Sequence, residues 1–159
     1  MTEIWTFDRK AVALRELHEW HGTRHIDRLA IKGTGVDCIN LVYEVLIESG
    51  VLERKPLGTY TTADGMNHPT DRLQRAIKHC CKCEVIPASE APQFGDIAIF
   101  RTGSHSGHVG IFAEGLLWHA LAGRGVTCSD LTLWRHAVVG WIRIVEMGLK
   151  ADPVTALKC

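Results

Sequence analysis

The chain has 159 residues, a length that suggests one domain large enough to bury a core without a metal ion or a disulfide. Its 18 lysines and arginines balance its 18 aspartates and glutamates, which argues against a broad nucleic-acid-binding surface and predicts no nucleic-acid partner. No apolar stretch approaches the ~20 residues that cross a bilayer, so we expect no membrane insertion.

The first half of the chain is predicted to be helical, because apolar residues recur at helical spacing in three segments. The expected helices cover residues 9–20, 38–49 and 70–81. Asp8 is the expected cap of the first helix. Glycine, proline and threonine punctuate the loops that we expect between the helices, at 22–37 and 51–69.

The second half is predicted to form a small antiparallel sheet of about five strands. The expected strands cover residues 96–101, 107–113, 116–121, 125–128 and 138–145. Helices followed by strands make an α+β domain. We assign residues 1–147 to this single domain and 148–159 to a loose C-terminal tail.

Cys38 opens the most apolar of the predicted helices, behind Asp37 as a good N-cap. The first turn of a helix has unpaired backbone N–H groups and the positive end of the helix dipole. Both stabilise a thiolate, so we expect a Cys38 pKa below the ~8.5 of a free thiol. The alternative is a small core residue, since free cysteine is usually buried, and the helix alone supports both interpretations equally.

Two histidines are predicted to share one face of a β-hairpin. Apolar runs flank Glu114-Gly115, which has the composition of a two-residue turn. Such a turn places Gly110 opposite His119, and the alternation of side chains then puts His108 on the same face. The two histidines become diagonal neighbours, roughly 7–8 Å apart at the backbone. A turn of odd length would remove this arrangement, because a slip of one residue reverses the faces of a strand.

A thiol, an imidazole and a group that orients the imidazole are the parts of a cysteine hydrolase. A lone histidine on a strand is more often incidental. Two on one face, together with a cysteine at a helix start, favour a site. We therefore predict Cys38 as the nucleophile, His108 as the general base and His119 as the orienting residue.

Two other clusters contain residue types that bind metals, but neither has the full pattern of a metal site. Cys80 and Cys83 have zinc-knuckle spacing, but a structural zinc needs four ligands and the sequence has no second Cys-x-x-Cys. His18 and His21 are three residues apart on a predicted helix, while His25 falls in a loop, which suggests surface residues or a pocket rim. We predict no bound metal and no cofactor.

The motifs resemble those of the NlpC family of papain-like cell-wall peptidases. In that family an Asp-Cys phrase opens a helix, and Gly-Asp, His-Val-Gly-Ile and His-Ala strands follow. The matching segments here are Asp37-Cys38-Ile39-Asn40, Gly95-Asp96-Ile97, His108-Val109-Gly110-Ile111 and His119-Ala120. The resemblance implies a papain-like fold and cleavage of peptidoglycan stem peptides, often between γ-D-glutamate and a diamino acid. It also implies nucleophile, base and orienting roles for Cys38, His108 and His119.

Substrate binding is predicted for three residues, with two departures from the family pattern. The family's Ser-Gly after the cysteine, whose serine often lines the substrate pocket, is Ile39-Asn40 here. The family's tyrosine about a dozen residues before the cysteine is absent, and His25 is the residue that can take its place. We predict that Asp37, His25 and Arg124 bind substrate, and a guanidinium such as that of Arg124 can grip a carboxylate. The alternative for Arg124 is a solvated turn residue.

Length and the first ten residues suggest how the protein is delivered. Glu3 and Asp8 stand where a signal peptide carries positive charge and then an apolar run. We expect synthesis in the cytoplasm without a signal peptide, and the similarity is then to the phage-encoded branch, with phage tail proteins as partners and delivery to the cell wall. The alternatives are a thiol amidase, deamidase or secreted toxin acting on another substrate, or a structural tail protein with a vestigial site.

Overall fold

Four helices and two antiparallel sheets make up the part of the chain that the computed structural model describes, residues 3–55, 69–102 and 105–148. The helices are α1 (Phe7–Trp20), α2 (Cys38–Glu48), α3 (Pro69–Cys80) and α4 (Leu131–Trp134). Apart from Gly148, the predicted C-terminal tail lies outside the described residues, as does most of the predicted loop over 51–69.

The main sheet has six strands, and every neighbouring pair is antiparallel. A two-stranded hairpin, β1 (Ala30–Ile31) and β2 (Gly35–Val36), precedes it in the chain. The strands of the main sheet are β3 (Cys81–Pro87), β4 (Ile97–Thr102), β5 (His105–Ala113), β6 (Leu116–Leu121), β7 (Gly125–Asp130) and β8 (Val138–Met147). Their order across the sheet is β3-β8-β4-β5-β6-β7. The predicted α+β class is thus confirmed.

The structure corrects three details of the predicted elements. The sheet has six strands rather than about five. The strand β3 was not predicted because it follows α3 directly, with no turn residues between them to mark its start. The predicted loop over 22–37 contains β1 and β2, whose two residues each are too few to show a period. Helix α1 begins two residues earlier, because the Thr6 side chain caps it by accepting from the Arg9 N–H, and Asp8 lies within its first turn.

Helix α2 is the centre of the main core. Its buried positions include Leu41, Val45 and Leu46, all with no exposed surface, and Asn40, Glu44 and Glu48 make the more exposed stripe. Burying a leucine side chain fully contributes about 1.5–3 kcal/mol, so this helix is held by packing on most sides. The core places the start of α2, and with it Cys38, against the sheet.

A second buried cluster lies elsewhere on the sheet and includes Phe100, Leu117 and Trp141, which are at most 1% exposed. The sheet is therefore apolar beyond the main core as well. In the described ranges, no helix has the length and apolar character needed to cross a membrane.

The Gly95-Asp96 segment, just before β4, makes contacts that hold the sheet together. Asp96 is 1% exposed, and its two carboxylate oxygens accept from the Nε and Nη2 of Arg143 on β8 at 2.9 and 2.6 Å. Gly95 has φ +84°, and a Cβ there would lie 1.9 Å from the indole Nε1 of Trp5. Only glycine fits both the backbone conformation and the indole at this position.

Candidate active site

The Cys38 side chain lies where the start of α2 meets β5. Asp37 fixes this helix end, because its Oδ1 accepts from the Asn40 backbone N–H at 2.8 Å. Cys38 is 8% exposed, its thiol lies 4.0 Å from the Gly107 carbonyl oxygen, to which it donates, and the Val109 N–H donates to its sulfur. The thiol therefore contacts the backbone on both sides of His108.

The hairpin of β5 and β6 has the predicted register. Glu114 and Gly115 form the turn with φ +50° and +75°, the positive values that a type I′ two-residue turn requires. Phe112 pairs with Leu117, as this turn dictates. A Cβ on Gly110 would lie 2.9 Å from the Trp118 carbonyl oxygen and 3.2 Å from the His119 Cβ. Glycine at 110 thus gives His119 its space.

The structure brings His108 and His119 into direct contact. Their rings are joined by His108 Nε2 and His119 Nδ1 at 3.1 Å. The other nitrogen of His119, Nε2, is 3.1 Å from the hydroxyl of Ser129 on β7. Three side chains on three strands therefore form one hydrogen-bonded row, and His108, at one end of it, lies between the two residues whose backbone contacts the thiol.

Sequence reasoning missed Ser129. The pairing of β6 with β7 sets Ser129 opposite Leu117 and Thr127 opposite His119, which makes Ser129 a diagonal neighbour of His119 on the same face. The predicted strand ended at residue 128, one position short. A search for a polar residue two positions beyond the partner of His119 would have found it.

Aromatic rings enclose the two histidines. Phe100 on β4 pairs in register with His108, and its ring centroid is 4.9 Å from that of His108 and 5.8 Å from that of His119. The Trp134 ring, at the end of α4, makes an edge contact with His119 at 4.8 Å. His119 has no exposed surface as a result. Neither Trp134 nor Phe100 carries a local signal of this role in the sequence.

Burial sets the ionisation of all three candidate residues. It lowers the pKa of His108 to about 3, helped by positive charge on His119 and His25, and it lowers the pKa of His119 to about 4. It raises the pKa of Cys38 to about 11, despite hydrogen bonds from the backbone of Val109 and of the helix start. The expected low Cys38 pKa is therefore wrong for the free protein, because the helix-end argument left out the loss of solvent.

The three predicted substrate-binding residues all lie in segments that connect helices and strands. His25 forms an isolated bridge with Val36, just before the helix that Cys38 opens, and its charge acts on His108. Asp37 Oδ2 accepts from the Arg28 N–H at 2.7 Å and from Asn40 Nδ2 at 3.1 Å. The Asp37 carboxylate is thus already engaged within the chain. Its role in substrate binding stays a prediction.

Arg124 lies on the exposed turn between β6 and β7. The next residue, Gly125, is packed on the Thr23 backbone, where a Cβ would lie 2.4 Å from the Thr23 carbonyl oxygen. The turn that carries Arg124 therefore adjoins the loop leading to His25. The role of Arg124 in substrate binding also stays a prediction.

No group of three or more histidine, cysteine, aspartate or glutamate side chains is placed to hold a metal among residues 3–55, 69–102 and 105–148. His18 and His21 are exposed, and their rings make edge contacts with Trp118 at 5.1 and 6.1 Å. The Cys81 thiol donates to the Val51 carbonyl oxygen at 3.6 Å. That the protein binds no metal therefore stays a prediction.

The comparisons with known proteins agree with this geometry. The sequence profile of the NlpC/P60 family matches residues 16–143. Among solved structures, the NlpC/p60 domain of the peptidoglycan hydrolase SagA is 18% identical with a TM-score of 0.54, over 85% of this chain and 98% of that domain. A Staphylococcus aureus protein described as similar to lipoprotein, NLP/P60 family, is 22% identical with a TM-score of 0.58, over 89% of this chain and 43% of that one.

At these identities the structural likeness shows the fold alone. This chain spans less than half of the Staphylococcus aureus protein. Among curated proteins, none matches the sequence significantly.

Proposed function

Because the chain belongs to the NlpC/P60 family, we propose that it is a cysteine peptidase that hydrolyses amide bonds in peptidoglycan stem peptides. The observation that carries the proposal is the buried Cys38 thiol against the β5 backbone, beside a histidine that a second histidine holds. Family membership supplies the substrate class, and the geometry supplies the residues. Together they support a thiol–imidazole mechanism.

The resting site is uncharged in this mechanism. At neutral pH the Cys38 thiol keeps its proton and both histidines are neutral, given their pKa values. When a scissile carbonyl binds, the thiol proton passes to His108 as the sulfur attacks the carbonyl carbon. The negative and positive charges form together, so each offsets the cost of burying the other.

The remaining steps use the same groups. The N–H groups of Cys38 and Ile39 point at the sulfur, at the positive end of α2, and can stabilise negative charge that develops there. His108 then gives its proton to the leaving amine, and the C–N bond breaks to leave an acyl-enzyme on the sulfur. A water molecule, deprotonated by His108, hydrolyses the thioester and restores the thiol.

The bond that we propose is the one between γ-D-glutamate and a diamino acid. His25, Asp37 and Arg124 are the residues that we propose for substrate recognition. Ile39, 6% exposed, stands where the family has a serine, so no hydroxyl is offered at that position. We expect the range of accepted stem peptides to differ from that of family members with the serine.

Digestion of purified sacculi tests the proposal. Mass spectrometry of the soluble products should show new stem-peptide termini with the wild-type protein and none with Cys38→Ala. Cleavage by Cys38→Ala, or release of glycan fragments without peptide cleavage, would contradict it. Products cut at another amide bond would keep the thiol chemistry and move the substrate to the amidase alternative.

Cytoplasmic synthesis followed by delivery to the cell wall with a phage tail is a separate proposal, made from the sequence. Proteomic analysis of purified virions tests it, with the protein expected among the tail components. Its absence from virions of a producing lysogen would contradict this route without affecting the chemistry.

A further inference from the structure

We propose that Ser129 is a positioning residue whose hydroxyl, as an acceptor, supports the productive tautomer of His119 and, through it, that of His108. The expected effect of Ser129 on the reaction rate rests on the proposed function. Its expected effect on the histidine tautomers does not depend on that function. The inference starts from one contact, the 3.1 Å between Ser129 Oγ and His119 Nε2.

The contact is held firmly from both sides. Ser129 ends the row of residues on β7 that share a face with His119. The next residue, Asp130, caps α4 by accepting from the N–H and the hydroxyl of Thr132 at 2.9 and 2.8 Å. Trp134, at the end of that short helix, packs on the His119 ring. The serine hydroxyl therefore faces a ring that cannot turn away without repacking Trp134.

Counting protons along the row shows what the serine does. A neutral imidazole carries one N–H, so each ring has one donor and one acceptor nitrogen. His108 Nδ1 is free to take a proton only if Nε2 carries the N–H and donates to His119 Nδ1. His119 must then carry its own proton on Nε2 and donate it to Ser129 Oγ. The productive arrangement needs an acceptor at 129.

The opposite arrangement becomes favoured when that acceptor is lost. Without the Ser129 hydroxyl, the productive tautomer leaves the Nε2–H of His119, a residue with no exposed surface, without its acceptor. The other tautomer leaves an acceptor nitrogen unpaired instead, and buried orphan N–H groups are the rarer of the two in native proteins. His119 then donates from Nδ1 to His108 Nε2. This puts the His108 proton on Nδ1, where it blocks uptake of a proton from the thiol.

The test combines Ser129→Ala with the matched control Thr127→Val. Thr127 lies on the same strand and face, opposite His119, but its hydroxyl is bonded to the Cys128 carbonyl oxygen. Heteronuclear NMR of histidine ring nitrogens, with 15N-labelled protein, reports which nitrogen carries each proton. We expect His119 protonated on Nε2 in the wild type and in Thr127→Val, and shifted towards Nδ1 in Ser129→Ala.

The kinetic arm uses peptidoglycan fragments at neutral pH. Ser129→Ala should lower kcat about tenfold with KM unchanged, while Ser129→Thr, which keeps the hydroxyl, should recover most of the rate. A wild-type His119 protonated on Nδ1 overturns the inference without any variant, and so does an unchanged tautomer in folded Ser129→Ala. If the wild type cleaves nothing, the proposed function fails while the NMR arm still decides this inference.

Discussion

The sheet buries titratable groups in two regions, and it treats them in opposite ways. Asp96 and Arg143 join β4 to β8 as a charged pair whose two hydrogen bonds satisfy both carboxylate oxygens. His108 and His119 join β5 to β6 with aromatic rings around them and with no opposite charge that raises their pKa. The first region pairs opposite charges through hydrogen bonds, and in the second, burial favours the neutral form of both rings.

The difference indicates what each region is for. A buried charge that is paired and fully hydrogen-bonded fixes geometry, because its partner cannot leave without leaving an uncompensated ion. A buried imidazole that is neutral at rest retains a lone pair and can accept a proton when one is offered. We therefore assign the Asp96–Arg143 pair to structure and the histidine row to chemistry. Four predictions test this division.

The largest effects should come from the atoms that exchange the proton. Cys38→Ala and His108→Gln should each remove activity almost fully while leaving the fold intact. The double variant should be little worse than either single one, because the two groups act as a unit. Steady-state rates on stem-peptide fragments measure this. A His108→Gln variant with wild-type rate would end the hydrolase proposal.

Breaking the charged pair should cost stability rather than chemistry. Asp96→Ala removes the carboxylate that accepts both hydrogen bonds from the half-buried Arg143, and we expect the free energy of unfolding to fall by about 3–5 kcal/mol. Glu19→Ala is the matched control, since it removes an exposed ion pair with Lys32, and should lower the free energy of unfolding far less than Asp96→Ala does. Urea unfolding followed by fluorescence measures both. Equal losses in the two variants would show that the Asp96–Arg143 pair contributes no more to the free energy of unfolding than an exposed ion pair does.

His119 should tolerate replacement better than His108. His119→Asn retains an acceptor for the His108 N–H and should keep part of the activity. His119→Ala removes the acceptor and should lose roughly a hundredfold, within the range of positioned acid–base groups. Rates of the two variants, compared at equal folded fractions, are the measurement. A silent His119→Ala would mean that another group orients His108.

The pH dependence of stability tests the neutrality of the buried histidines and of the thiol. The unfolded chain binds protons on both histidines below pH ~6.5 and the folded chain does not until about pH 3–4, so stability falls on acidification at about 1.4 kcal/mol per histidine and pH unit. Above pH ~9 the unfolded thiol of Cys38 ionises while the folded one resists until about pH 11, so stability falls again.

Thermal unfolding from pH 4 to 10.5 gives both limbs of this profile. Cys38→Ser should make the alkaline limb alone shallower without removing it, because burial also raises the pKa of the Cys81 thiol to about 11. His119→Asn should make the acid limb shallower. An alkaline limb unchanged by Cys38→Ser would show that the thiol is not the group responsible.

Local patterns predicted the parts of the site that lie close together in the chain. The apolar surround of Cys38 predicted a buried helix, and the Glu114-Gly115 turn predicted the register that aligns the histidines. A two-residue turn leaves only one pairing that keeps the apolar face inside. These elements needed no information from distant residues.

The remainder depends on pairing across the sheet, which no local pattern encodes. Phe100 reaches His108 because β4 pairs with β5, and Arg143 reaches Asp96 because β8 returns to the sheet beside β4. The Cys38 pKa followed the same rule: the helix start is visible in the sequence, but the burial that overrides it comes from β5. Substrate binding by Asp37, His25 and Arg124 stays a prediction, because the positions of these residues depend on loop conformation.

The central claim is that the resting site is uncharged and that its charges arise only with substrate. The most direct measurement is an NMR titration of the His108 and His119 ring nitrogens in 15N-labelled protein between pH 3 and 8. The account predicts that both rings stay neutral down to pH 5 and that protonation begins only well below the ordinary histidine range. Titration of either ring near pH 6.5, or a protonated His108 paired with a thiolate at neutral pH, would contradict it.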